Sequence, residues 1–341
     1  MQGKGDAFAK VVGVSAADAE ASAPVFLNDA VPGDLTAAVS GSDLVWEANP
    51  LGRGGCEPEL ANLRVVYPNG VTNYYEHIAN ALSGLSGACD LELLRNDTFG
   101  GELTVAFDVT LRTAPEIDGA LKLERVDAGR ILVKPGVTLK VENIRISGTG
   151  EGNAYGTGNL IAVNGGELEL KSGADVGHVF GGETRADGVI TVYNGGRVLT
   201  EEGSLVSDGR NPYVDEIKDV DSGVGGGILV DGASFAEFKG GQVVNCQASR
   251  GGGVAVANKS TAYVSGGFTV TGNTDCDGAA NDFVTEDLSS LVLADDFTGS
   301  VGISEGVKCD TNVFGRVDDK YYARAGFASL TNGAANFFHD V

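Results

Sequence analysis

No stretch of this chain approaches the roughly 20 consecutive apolar residues of a transmembrane helix, so no membrane insertion is expected. Basic charge is also scarce: 24 Lys and Arg stand against 47 Asp and Glu, a formal net charge of -23. A field of that sign repels nucleic acid and keeps an extended particle soluble, so no nucleic-acid partner is expected. One Met, one Trp and 7% aromatic residues argue against large helical cores. The five cysteines, Cys56, Cys89, Cys246, Cys276 and Cys309, include no CxxC spacing, which leaves little basis for a zinc site. In an oxidising compartment Cys56 could pair with Cys89 and Cys276 with Cys309, leaving Cys246 over. The run Val11 to Val14 is too short for the core of a signal peptide, and Ala17 to Ala23 reads as the start of a mature secreted chain. A signal and any anchor are expected outside the sequence.

Glycine is what the chain has in excess, 52 of 341 residues, and its placement is periodic. Gly225 to Gly227 return as Gly251 to Gly253, and Gly240-Gly241 return as Gly266-Gly267, both after 26 residues. A fixed period of that size means stacked units. Between the glycines lie short alternating runs: Ile228/Val230, Ala236/Phe238 and Val243, then Val254/Val256, Ala262/Val264 and Phe268/Val270. Alternation with period two over so few residues predicts strands with one apolar face. A single turn of such strands cannot bury that face, but stacked turns can, so Val230 and Val256 are expected to meet.

Earlier in the chain the same pattern is looser. Val137/Leu139/Val141 and Ile144/Ile146 predict two strands bent at Glu142-Asn143. Asn164-Gly165-Gly166 recurs as Asn194-Gly195-Gly196 after 30 residues, which would set Leu160/Ala162 against Ile190/Val192. Tyr74, Tyr75, Ile78, Ala81, Leu82 and Leu85 recur at helical spacing and predict a helix over 72 to 86, capping the first coil. Residues 1 to 70 are expected to be an irregular, partly disordered segment. Residues 71 to 341 are expected to form the solenoid, with aromatic residues from Phe314 to Val341 as a C-terminal cap.

The run Gly240 to Val256, Gly-Gly-Gln-Val-Val-Asn-Cys-Gln-Ala-Ser-Arg-Gly-Gly-Gly-Val-Ala-Val, resembles the repeat of adhesin-like bacterial surface proteins of the right-handed parallel β-helix (pectin-lyase-like) class. Gly267 to Thr274 matches the asparagine-turn half of that repeat, with Asn273 where the preceding unit has Cys246. The resemblance covers roughly residues 70 to 341. It implies an all-β, right-handed parallel β-helix with an N-terminal capping helix, located in a secreted or cell-surface protein. Its motifs are structural glycines and turn asparagines, which speak to fold and not to ligand.

Few residues offer chemistry. Asn273-Thr274-Asp275 and Asp295-Asp296 superficially match the carboxylates of a polygalacturonase-type hydrolase, but the downstream Gly-His-Gly and Arg-Ile-Lys elements are missing. Asn273 reads better as a turn residue bonding down the stack, and His178 as a surface or corner residue. The acidic insertion 208 to 224 is expected to be a loop on the binding face. There Asp215 and Glu216, with Asp219 and Asp221, offer oxygen ligands for a Ca²⁺, though their spacing matches neither the EF-hand loop nor the glycine/aspartate nonapeptide of calcium β-rolls. Tyr155 and Tyr213 offer flat faces for stacking on sugar rings. The expectation is a non-enzymatic adhesin-type protein whose rigid face meets an extracellular glycan or host surface protein. The alternative is a polysaccharide lyase or glycoside hydrolase on the same scaffold.

Overall fold

The computed structural model describes residues 7 to 12, 35 to 40, 43 to 48, 55 to 148, 158 to 180, 188 to 211, 223 to 285, 291 to 294, 296 to 302 and 316 to 317. It is a parallel β-solenoid of about six turns. Three sheets run its length, with eleven, nine and seven described strands. Each coil visits them in a fixed order. Leu121–Arg125 lies in the nine-stranded sheet, Arg130–Val133 in the seven-stranded and Thr138–Glu142 in the eleven-stranded. Asn143, in the left-handed region at φ 43°, makes the expected bend into Ile144–Ser147, which begins the next coil.

Val230 pairs in register with Val256, and neither is exposed beyond 1%. Leu139, Leu168, Val198, Ala236 and Ala262 form one inward column on the eleven-stranded sheet. In the later coils Phe238 stacks on Phe268 at 4.4 Å and meets Phe283 edge-on at 6.4 Å. Aromatic pairs of this kind add about 0.5–1.5 kcal/mol beyond their burial.

The glycine triplets mark corners where one coil passes too close to the next for any side chain. A Cβ on Gly226 would lie 2.4 Å from the Gly252 carbonyl oxygen, and one on Gly253 would lie 2.6 Å from that of Asp282. At the triplets the periodicity of 26 therefore marks where backbone touches backbone.

The first coil and one register differ from expectation. Thr72–Tyr75 is a strand, paired antiparallel with Leu63–Val66, and the helix is confined to Ile78–Ser83 with Ile78 and Ala81 buried. Asp97 decides the helix start, because its carboxylate accepts the Ile78 N–H at 2.8 Å. Leu63–Val66 also pairs antiparallel with Cys89–Leu93, so the eleven-stranded sheet takes in residues before 71. In the seven-stranded sheet Ile161, not Leu160, stands against Ile190, and Val163 against Val192. Leu160 to Val163 are all buried, so both faces of this strand read as apolar and the period of two gives no phase. Farther along the same sheet the outward Leu229, Ala255 and Val284 form a second small apolar cluster of their own.

Within 1 to 70, Ala7–Val12 and Leu35–Ser40 both pair antiparallel with Asp43–Ala48 in a separate three-stranded sheet. The C-terminal aromatic cap lies outside the described residues. So does Cys309, and with it the Cys276–Cys309 pairing; among the described residues Cys56, Cys89, Cys246 and Cys276 carry free thiols, so Cys56 and Cys89 are not joined.

Candidate functional site

Tyr155, Tyr213, Asp215 and Glu216 lie outside the described residues, as do Asp219 and Asp221. The strands from which their segments depart are described. Ile144–Ser147, Ala174–Phe180 and Leu205–Asn211 are neighbours in the nine-stranded sheet, and each runs to the corner that precedes one of the segments 149 to 157, 181 to 187 and 212 to 222. Because the third strand runs to Asn211, residues 208 to 211 belong to the sheet and not to the insertion.

At that corner Arg125 is fully buried, at 1% exposure. Its guanidinium donates to the carbonyl oxygens of Gly148 and Gly158, the two residues that flank segment 149 to 157, and to those of Gly129 and Asn159. Burial pushes its pKa down, against the nearby Asp127 carboxylate. Alternation from Leu121 and Leu123 puts position 125 inside, so the sequence carried a signal for an inward arginine.

His178 sits at a left-handed corner, φ 57°, half-buried between Arg145 and Asp208. Asn273 bonds down the stack as expected. Its side-chain oxygen accepts the Cys246 N–H at 2.9 Å, and its amide donates to the Val243 carbonyl at 3.0 Å and to Asp282 at 2.9 Å. Asp282 is 2% exposed, and burial raises its pKa against the opposing bonds from Asn273. Asp275 is tied into its own turn, accepting the N–H groups of Asp277 and Ala279. Among the described residues no group of three His, Cys, Asp or Glu side chains is placed to hold a metal ion.

Among the described residues the sheet with most strands is the eleven-stranded one, and its outer face is continuous from coil to coil. Across successive strands one outward row runs Arg64, Glu92, Arg112, Glu142, Lys171, Glu201 and Lys239, so the sign of charge alternates at every step. Parallel strands repeat every 4.7–4.9 Å or so, and opposite charges directly across a pair stabilise it whereas like charges do not. Glu92, 3% exposed, lies between Arg64 at 2.6 Å and Arg112 at 2.8 Å. Burial pulls both guanidinium groups down, but their bonds to Glu92 and neighbouring carboxylates outweigh it and their pKa values rise. Farther along, Lys171 bridges Glu169 and Glu201, and Arg197 joins Glu167 to Glu237. The Arg197 guanidinium also covers the Phe235 ring at 5.7 Å. Phe235 is 36% exposed, and Tyr263, half-buried, faces outward on the next strand.

No family model, curated protein or solved structure matches the chain significantly.

At the N-terminal end of this face is a groove of about 500 Å³. The turn of the first hairpin supplies Tyr67 and Pro68 as one wall, while Asp90, Thr110, Thr138 and Lys140 come from three successive parallel strands and Asp108 from the turn before one of them. Cys89, at the groove, has its thiol pushed up to about 12 by burial, with Asp90 adding to the shift. Sequence reasoning missed this site because its residues lie up to 74 positions apart (Val66 to Lys140) and meet only through coil register.

Proposed function

We propose that this is a non-enzymatic, secreted or cell-surface protein of adhesin type that presents its β-helix face to an extracellular glycan or host surface protein. The observation that carries this reading is the outer face of the eleven-stranded sheet. It is a long surface of fixed strand spacing, with paired charges that hold its side chains in place, Arg197 over the Phe235 ring, and Tyr263 outward on the next strand; aromatic faces of this kind stack on sugar rings. A preorganised surface of this kind binds without the cost of ordering loops. The Gly240 to Val256 resemblance supports an extracellular setting, and closure of the first coil by the Leu63–Tyr75 hairpin and the short helix belongs to the same reading. Purified chain on a glycan array and against host surface proteins should bind without releasing product. Fragments released from a bound polysaccharide, or binding lost on neither Phe235→Ala nor Tyr263→Ala, would contradict it.

A further inference from the structure

We infer that the groove beside Tyr67 is a subsite for a neutral saccharide unit. This subsite rests on the glycan-binding reading and narrows it to one ligand class at one place. Each wall offers distinct polar groups. Asp108 uses one carboxylate oxygen to accept the Thr138 N–H at 2.8 Å, and Asp90 uses one to accept the Arg112 guanidinium at 2.8 Å. The other oxygen of each is left to a ligand. Thr110 and Thr138 add hydroxyl groups that both donate and accept. Lys140, 45% exposed and 3.6 Å from Glu169, adds an ammonium that only donates.

Charge then selects among ligands. Asp90 and Asp108 disfavour an anion in this groove, and Lys140 disfavours a cation. A polyol with no charge satisfies all three, because each hydroxyl can donate a hydrogen bond to a carboxylate and accept one from the ammonium. The Tyr67 ring and Pro68 supply the apolar wall that the C–H face of a pyranose ring needs. Tyr67 is held in place because its hydroxyl accepts the Ser86 N–H at 3.3 Å. At about 500 Å³ the space falls within the roughly 300–1,000 Å³ of small-molecule sites.

Saturation-transfer NMR with neutral hexoses, N-acetylhexosamines and their disaccharides at millimolar concentration, followed by titration, tests the assignment. Tyr67→Ala and Lys140→Ala should each weaken the bound saccharide at least about tenfold, the loss expected for one charged hydrogen bond or one stacking contact. Arg130→Ala, on the seven-stranded sheet, should leave it unchanged. Lys140 is exposed, so its variant keeps the test valid if Tyr67→Ala fails to fold. Saccharide binding that both variants retain would overturn the groove while leaving the glycan reading intact. A complete absence of saccharide binding would overturn both. Preference for a uronate or for oligolysine over every neutral sugar would overturn the ligand class alone.

Discussion

Replacing Asn273 with Ala should loosen one end of the solenoid and spare the other. The side chain removed is 1% exposed and ties two coils together through Cys246 and Val243 while donating to Asp282 within its own coil. Its loss orphans the buried Cys246 N–H, at about 1–3 kcal/mol, and takes a charge-assisted bond from the Asp282 carboxylate, at about 1.5–3 kcal/mol. Asp282 keeps the bond from the Asn273 backbone N–H at 2.8 Å, so the sum stays near 4 kcal/mol by the same ranges. In a solenoid each coil rests on its neighbours, so the cost falls locally and not on the whole chain. Amide hydrogen exchange read by mass spectrometry is the assay. Peptides covering 242 to 256 and 269 to 285 should lose about a thousandfold in protection, while peptides covering 103 to 142 keep theirs. A loss below tenfold, or one spread evenly over all coils, would refute the reasoning.

Asp282 makes a separate prediction about pH. Its folded pKa is raised above 3.8 by burial, so the stabilising contribution of its neutral form is complete below 3.8 and is lost as pH rises through the folded value. Asp282→Asn should therefore be at least as stable as wild type at pH 7, the two converging below 3.8 in urea melts; a variant much weaker at pH 7 would count against this. Gly226→Ala should cost about 1–3 kcal/mol or more through overpacking, because its Cβ would meet the Gly252 oxygen at 2.4 Å, whereas Gly267→Ala meets nothing within 4 Å and should be neutral. Thermal melts of the two variants decide that contrast. Cys89 and Cys246, both with thiols pushed up to about 12 chiefly by burial, should resist iodoacetamide at pH 8 until the chain is unfolded. Mass spectrometry that finds either one alkylated in native protein, or finds Cys56 joined to Cys89, would contradict the free, buried thiols.

How much the sequence disclosed depended on whether one face of a strand meets water. Where it does, as in Ala236, Glu237 and Phe238, alternation gave both the strand and its phase. Where both faces are buried, as in Leu160 to Val163, the strand was legible and its phase was not, and the register at Ile161 came out one residue away. Tyr74 and Tyr75 fit a helical spacing with Ile78 and Ala81 because four residues are too few to separate the two periods. The turn role of Asn273 was readable from its place in the repeat. The Tyr67 groove was not, since it exists only after Asp90, Thr110 and Lys140 come into one row through coil register. The tyrosines and carboxylates singled out for binding all lie in segments that interrupt the repeat, where periodicity carries no information.

Both the binding face and the groove depend on each coil lying one strand spacing above the last, with its strands in parallel register. Lys122, Arg145, Asp175, Leu205, Gln242 and Thr269 occupy one outward row on six successive strands of the nine-stranded sheet. Spin labels on cysteines placed at 122 and 242, and at 122 and 269, should report Cα separations of about 19 Å and about 24 Å, four and five strand spacings. Distances that fail to lengthen by about one spacing from the first pair to the second would contradict the stack.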